Sequence, residues 1–213
     1  MTFTKHSDKA GKHAMLSAST WRWINDTPDE LIRRLASQYA PVIGTHLHEI
    51  ACNHIKFSIK LNRYDRKNVL LELLAKGVPG MILDAIDFDR IFDNLMAYVN
   101  DCIGFKMSPE VVLMYSDTMW GTTDAIHFDE RARFLRIHDY KSGFGSVYME
   151  QLMIYEALFC LEYHVNPEDI DNELRIYQGC DILYHNPTPE DIRAYMDQIV
   201  MADRILQDLK QGA

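Results

Sequence analysis

"GTTDAIHFDERARFLRIHDYKSG", residues 121–143, contains two stretches that alternate between apolar and polar residues around a short polar segment. Alternation with a period of two is typical of half-buried β-strands, and it predicts strands at 121–129 and 133–141. The polar segment "DERA", residues 129–132, predicts a turn between them. The two strands are therefore expected to pair as an antiparallel hairpin.

The segments on either side of the hairpin predict further strands and helices. Before it, "EVVLMYS" at 110–116 is a β-branched apolar run that predicts another strand. After it, 147–164 has helical spacing, 172–178 predicts a strand that could extend through 185, and 188–210 predicts a capped helix. Three strands, a helix, a strand and a helix in this order predict an α/β protein, in which helices cover a mixed sheet.

The first half of the chain is predicted to be helical. Residues 27–30, "TPDE", are a typical helix start, with proline near the first turn. Pro41 and Gly44 predict a helix boundary, so we expect a separate helix over residues 41–58. The predicted organisation is a mobile tail at 1–14 and a single domain at 15–213, with a helical part at 15–105 and a core at 106–213 to which the 41–58 helix contributes.

The composition is that of a globular protein with an acidic balance. Hydrophobic residues make up 47% and charged residues 25% of the chain, and the formal net charge is −9. This charge argues against a protein that coats nucleic acid through a broad basic surface, but it allows local contacts with a few phosphates. The sequence has neither an apolar run typical of a membrane span nor the apolar core of a secretory signal. The four cysteines include no CxxC pair, so we expect reduced thiols in a cytoplasmic protein.

Polar residues at the end of the predicted hairpin suggest a metal-dependent reaction. Asp139 and Lys141 lie two residues apart and therefore project from the same face of a strand, and Asp124 lies on the neighbouring strand. Two carboxylates and the backbone carbonyl of Tyr140 are oxygen ligands suited to Mg²⁺ or Mn²⁺. Lys141 would then lie beside an attacking water and stabilise charge in the transition state. These parts are typical of metal-assisted phosphodiester hydrolysis.

Residues on the flanking helices are candidates to complete this site. His48 or Glu49, on an early helix, could add a further metal ligand, and His48 would favour Mn²⁺ somewhat. Gln151 and Tyr155 lie at i and i+4 on one helix face, where they offer an amide and an aromatic ring to a nucleic-acid end. Glu110, at a strand start, is an outer-shell candidate, although exposure in a turn is the simpler expectation.

Four short motifs follow one another along the chain. They are Gly44 to His48, Gly121 to Asp124, Asp139-Tyr140-Lys141-Ser142-Gly143, and Gln151 to Tyr155. In this order they resemble the PD-(D/E)XK nuclease superfamily, specifically its RecB-like exonuclease branch, which shows G-x-x-x-H, G-x-x-D, D-Y-K-[TS]-G and Q-x-x-x-Y. Each motif alone is weak, but four in the right order are a fairly specific signal.

The resemblance implies a restriction-endonuclease-like core with a mixed central sheet, flanked by helices and extended by N-terminal helices. It implies a metal-dependent DNA exonuclease of recombination, repair or phage DNA metabolism, located in the cytoplasm of a bacterial host. Asp124, Asp139 and Lys141 are the implied catalytic residues, with Mg²⁺ or Mn²⁺ as cofactor, and Ser142 joins the predicted DNA contacts. DNA is the expected partner and a recombination protein a further candidate; no membrane partner is expected, and oligomer formation stays open.

The cysteines depart from the pattern of many relatives. Those relatives hold an iron–sulfur cluster with one early cysteine and a late group of three. Here no cysteine precedes His48, Asn25 stands where some relatives have the early cysteine, and Cys160 and Cys180 are isolated. We therefore predict no iron–sulfur cluster.

Each candidate residue also has a structural alternative. Asp139 and Lys141 could form a surface ion pair, Asp124 could be a satisfied polar residue, and His48 could pack between helices. For the whole chain, one alternative is a catalytically inactive nuclease-fold module that binds DNA or protein. Another is a structure-specific endonuclease of the same superfamily. The polarity of digestion and the choice between single and double strands, or between DNA and RNA, stay open.

Overall fold

The computed structural model describes residues 2–143 and 145–211 of the chain. Its secondary structure over this part follows the predicted order of helices and strands. The helices are α1 (Pro28–Lys56), α2 (Arg66–Ala75), α3 (Gly80–Ala85), α4 (Phe88–Gly104), α5 (Glu150–Tyr163) and α6 (Pro189–Gln211). The strands are β1 (Ser108–Ser116), β2 (Met119–Asp129), β3 (Phe134–Lys141), β4 (Asp171–Gln178) and β5 (Asp181–His185). Short 3₁₀ turns at Ser7–Lys9, Ala18–Asn25 and Pro167–Asp169 complete it.

The five strands form one mixed sheet in the order β1-β2-β3-β4-β5. Only β3 and β4 run parallel, and α5 connects them as the crossover helix. The other three neighbouring pairs are antiparallel. This arrangement confirms the expected α/β fold with a mixed central sheet, flanking helices and added N-terminal helices, as in a restriction-endonuclease-like core.

The turn between β2 and β3 is held by Asp129, as the polar segment predicted. The carboxylate of Asp129 accepts hydrogen bonds from the backbone N–H groups of Arg131 and Ala132, at 2.9 and 3.0 Å. Arg133 takes a left-handed conformation with φ of 52°, which returns the chain to pair Phe134 with Asp129. Side-chain capping of a turn in this way is a regular property of aspartate.

Helices cover both faces of the sheet and create two hydrophobic cores. One core lies between α1–α4 and the sheet residues Ala125, Tyr140 and Tyr177. The other lies between α5–α6 and sheet residues that include Leu135 and Ile137. Because side chains alternate along β3, Tyr140 points to the first core, whereas Asp139 and Lys141 are in phase with Ile137 and lie on the α5 side.

The helix that carries His48 runs without interruption from Pro28 to Lys56, so the boundary expected at Pro41–Gly44 is wrong. Pro41 has no N–H group and deprives the carbonyl of Ser37 of its usual helical partner, at a cost of about 3 kcal/mol relative to alanine. Packing offsets this cost, because α1 buries side chains both before and after the proline, including Ala36 and Leu47.

Both long helices begin at a threonine cap. Thr27 and Glu30 form a capping box at the start of α1, in which the Thr27 N–H donates to Glu30 Oε2 at 2.8 Å. Thr188 and Asp191 make the equivalent reciprocal bonds before α6, at 3.0 and 3.2 Å. These contacts satisfy backbone groups that a helix start leaves without partners.

The segment after β4 forms a separate strand rather than an extension. Gly179 takes a φ of 64°, and β5 turns back to pair antiparallel with β4, from Gln178↔Asp181 to Leu174↔His185. Among the described helices, none has an apolar stretch long enough to cross a bilayer.

Candidate active site

Asp124 lies where strands β2 and β3 diverge. The backbone pairing of the two strands extends from Asp129↔Phe134 to Ala125↔His138. Beyond it, the N–H of Tyr140 donates to the side chain of Asp124, with an N to Oδ2 distance of 2.9 Å. The carboxylate of Asp124 therefore occupies the gap between the strands and is fixed by the β3 backbone.

Asp139 and Lys141 form a close ion pair on the α5 side of β3. The Lys141 Nζ lies 3.0 Å from both carboxylate oxygens of Asp139 and donates a hydrogen bond to Oδ1. Asp139 is only 2% exposed, and its Oδ2 has no hydrogen bond among the described residues. The ammonium group of Lys141 balances the charge on this oxygen, which still has lone pairs that it can offer to a cation.

Two residues of α5 hold the ammonium group of Lys141 in place. The Lys141 Nζ donates to Gln151 Oε1 at 3.2 Å, and Gln151 Nε2 donates to the Tyr155 hydroxyl at 3.2 Å. Tyr155 in turn packs against Gly121 of β2, where an added Cβ would lie 2.8 Å from its ring. The α5 residues predicted as DNA contacts thus lie in a hydrogen-bonded row that ends at Lys141.

His48, Glu110 and Asp124 form a group whose ligand atoms all lie within 4.8 Å of one another. The His48 Nδ1 is 3.5 Å from Asp124 Oδ2, and the imidazole meets the Tyr140 ring edge-on with centroids 5.6 Å apart. One imidazole nitrogen and two carboxylates suit a divalent cation such as Mn²⁺ or Mg²⁺. The donor set therefore fits the expected metal, and Asp139, whose charge acts on Asp124, is a further candidate donor.

Glu110 reaches this group through the sheet register. The pairs Pro109↔Ala125 and Val111↔Thr123 flank it and place it opposite Asp124. Glu110 also has a left-handed φ of 52°, which interrupts the regular alternation of β1. From the sequence, Glu110 is an outer-shell candidate. Its place beside Asp124 depends on the pairing of β1 with β2, which the sequence of β1 alone does not reveal.

Glu49 and Ser142 lie at the edge of the site. The Glu49 carboxylate is 3.5 Å from His46 Nδ1 and 3.6 Å from Lys76 Nζ, so it pairs with bases outside the His48–Asp124 group. The hydroxyl of Ser142 lies 3.4 Å from the position that a Cβ on Gly44 would take. The structure thus brings together His48, Asp124, Asp139 and Lys141, and Glu49 lines the cavity of His48 and Asp124 while its carboxylate pairs with His46 and Lys76.

The two central carboxyl groups have perturbed acidities. Burial and the negative charge of Asp139 raise the pKa of Asp124 to about 6, although His48, the Tyr140 N–H and Lys141 act in the opposite direction. Burial also raises the pKa of Asp139, against the lowering effect of Lys141. Desolvation and mutual repulsion therefore disfavour two charged carboxylates here, and a bound cation would relieve both effects.

Two adjacent cavities open on either side of His48. One, of about 470 Å³, is lined by residues that include Lys141, Ser142 and Gln151, and the other, of about 540 Å³, by Glu110, Asp124 and Cys52 among others. His48 lines both of them, and Tyr140 contributes to the first. His48, Glu110, Asp124 and Lys141 thus line the cleft that these two cavities form along α1, and Asp139 lies buried behind Lys141.

The function of this site has to be inferred from the geometry of the cleft, the two carboxylates and the lysine. Comparisons of the chain with protein-family models, with curated protein sequences and with solved structures give no match.

Proposed function

We propose that the protein is a divalent-metal-dependent nuclease that hydrolyses phosphodiester bonds in DNA, acting as an exonuclease. The observation that carries this proposal is the buried Asp139 carboxylate, whose two oxygens both lie 3.0 Å from the ammonium group of Lys141. It lies beside a carboxylate, Asp124, that belongs to a group with His48 and Glu110.

The residues that would hold Mg²⁺ or Mn²⁺ are His48, Glu110, Asp124 and Asp139, with the backbone carbonyl of Tyr140 as a further candidate. Such an ion would lower the pKa of a water and neutralise charge that develops on the phosphoryl oxygens. The low exposure of Asp139 excludes bulk water from its carboxylate. Electrostatic interactions there are therefore stronger than in bulk water.

Lys141 has the role of orienting the attacking water. Its ammonium is fixed by Asp139 on one side and Gln151 on the other, and it is about one third exposed to the cleft. From there it donates a hydrogen bond to the water and stabilises the negative charge that grows on the water oxygen as it attacks phosphorus. The bond from phosphorus to the leaving sugar oxygen then breaks and its electron pair stays on that oxygen, which takes a proton from solvent in the cleft, while the proton lost by the attacking water passes to solvent. Gln151 and Tyr155 act as positioning residues for Lys141.

The test of this proposal is manganese-dependent digestion of end-labelled linear DNA. Asp139→Ala and Lys141→Ala are each expected to reduce nucleotide release by at least about a hundredfold. Asp197→Ala and Lys67→Ala change exposed residues on α6 and α2 and serve as matched controls with wild-type activity. Circular dichroism and melting of all four variants show that the fold is kept. Full activity in either site variant would remove the assignment.

The exonuclease part of the proposal follows from the motif resemblance, and it has its own experiment. Linear duplex, linear single-stranded and closed circular DNA are incubated with the protein and Mn²⁺. If one or both linear forms are digested while the circular DNA stays intact, the protein is an exonuclease. Linearisation of the circle at a rate similar to digestion of linear DNA would instead identify an endonuclease.

A further inference from the structure

A third cavity, of about 600 Å³, lies at one end of the cleft. It is formed by the first half of α1, the end of α3 and the start of α4. Its described apolar lining consists of Ala36, Ala40, Ile43, Ala85, Ile86 and Ile91. Ser142 and Gly143 line both this cavity and the one that contains Lys141, so the third cavity is continuous with the candidate active site.

The rim of this cavity carries more positive than negative charge. Arg33, Arg90 and Asp87 line it. The backbone N–H of Arg90 donates to Asp87 Oδ1 at 3.4 Å, and the Arg90 guanidinium lies against Gly179. Arg33 is exposed, and within the described part of the chain no hydrogen bond or ion pair holds it, although its charge acts on Glu30 one turn earlier in α1. Arg33 is therefore available to an anionic group of a ligand that enters the cavity.

The cavity also lies at a suitable distance along α1 from the candidate site. Ala40 and His48 are eight residues apart on one helix. At a rise of 1.5 Å per residue, their backbones are about 12 Å apart. A ligand in the cavity thus lies within a few nucleotides of a phosphate held beside His48 and Lys141.

We propose that this cavity binds one unstacked base of single-stranded DNA, while Arg33 contacts a neighbouring phosphate. The inference rests on the proposed nuclease function and adds a substrate preference to it. Isoleucine and alanine side chains can pack against the face of any base and do not read its hydrogen-bonding edge, so binding here tolerates all sequences. The volume is within the range of roughly 300–1,000 Å³ that small-molecule pockets show. A paired base would first have to leave its stack, so the cavity favours single strands and unpaired ends.

The test measures binding rather than cleavage. A labelled oligothymidylate of about eight nucleotides, within the usual site sizes for single-strand binding, is compared with a strand of equal length that lacks every base. Binding is followed by fluorescence anisotropy in EDTA at low ionic strength, where phosphate contacts are strong and hydrolysis does not take place. Ala40→Trp fills the cavity from an exposed position, and Ala194→Trp places the same side chain on an exposed site of α6.

The wild type and Ala194→Trp are expected to bind the thymidylate about tenfold more tightly than the base-free strand. Ala40→Trp is expected to lose most of that ratio while it binds the base-free strand normally. Arg33→Ala is expected to weaken both strands equally and to reduce the salt dependence, whereas Arg204→Ala on α6 changes neither. An unchanged ratio in Ala40→Trp would overturn the base site and leave the nuclease proposal intact. Failure of the wild type to bind either strand would overturn the base site, and the manganese-dependent digestion tests the nuclease proposal separately.

Discussion

Gly121 shows how a single residue shapes the candidate site. A Cβ at this position would lie 2.8 Å from Tyr155 Cε1, closer than real Cβ contacts allow. We predict that Gly121→Ala displaces the Tyr155 ring, weakens the hydrogen bond from Gln151 and lowers DNA hydrolysis. Overpacking of this kind costs roughly 1–3 kcal/mol, which thermal or urea denaturation measures directly.

Two further variants identify the cause of the Gly121→Ala effect. In a Tyr155→Ala background the ring is absent, so the same substitution should no longer reduce stability. Gly104→Ala, where an added Cβ meets no atom within 4 Å, should be neutral or slightly stabilising. An equal loss of stability with and without the Tyr155 ring would show that the backbone, and not the ring, is responsible.

At the scale of residues, the sequence predicts which side chains lie close together more reliably within one strand than between two strands. Asp139 and Lys141 are two positions apart, and the period of a strand alone places them side by side. Asp124 follows from the hairpin register. Glu110 depends on the pairing of β1 with β2 and on a left-handed backbone, neither of which its own segment reveals. Glu49 has the same chemistry as Glu110 and lines the same cavity, but its carboxylate pairs with His46 and Lys76.

At the scale of elements, Glu156 makes the contact between α5 and β4 sensitive to pH. It is fully buried, its Oε1 accepts a hydrogen bond from Asn172 Nδ2 at 2.8 Å, and its Oε2 has no hydrogen bond among the described residues. Burial raises the pKa of Glu156 from 4.5 to about 7. The folded protein therefore holds this proton more tightly than the unfolded chain does, and the contribution of Glu156 to stability declines as the pH rises from about 4.5 through 7.

We predict that Glu156→Gln removes this pH dependence. The difference in unfolding free energy between variant and wild type should change by about 3 kcal/mol in favour of the variant between pH 4.5 and a pH above 7. Urea denaturation over this pH range measures it. Glu150→Gln, at an exposed position of the same helix, should show no such trend. A constant difference between Glu156→Gln and wild type across the range would contradict a buried, proton-holding carboxyl.

The elements themselves were predictable where local pattern and tertiary packing agree. The hairpin of β2 and β3 has both the alternation and a turn held by its own aspartate, and it forms as predicted. Pro41 carries a local signal for a helix end, yet packing of α1 against α3, α4 and the sheet continues the helix through it. The sequence did not reveal whether residues 172–185 form one long strand or two strands. The left-handed conformation of Gly179 turns the chain and separates β4 from β5.

At the scale of the whole molecule, the candidate site joins elements from both layers of the fold. α1 supplies His48, β1 and β2 supply Glu110 and Asp124, β3 supplies Asp139 and Lys141, and α5 supports Lys141. No single segment of the sequence contains this set, so only the fold brings it together. A ligand that bridges these elements consequently binds the folded state and not the unfolded chain, and it must stabilise the whole protein.

We therefore predict that Mn²⁺ raises the melting temperature of the protein. At a concentration of about 100 times its dissociation constant, the ion should add about 2.7 kcal/mol, which for a chain of this size is roughly 5–10 °C. Because the pKa of Asp124 is about 6, protons compete with the ion below that value, and the shift should be clearly larger at pH 7.5 than at pH 5. Asp124→Ala should abolish the shift, and Asp197→Ala should keep it. A shift of equal size in both variants would place the ion outside this site, and its absence from the wild type at pH 7.5 would favour a nuclease fold without catalytic metal.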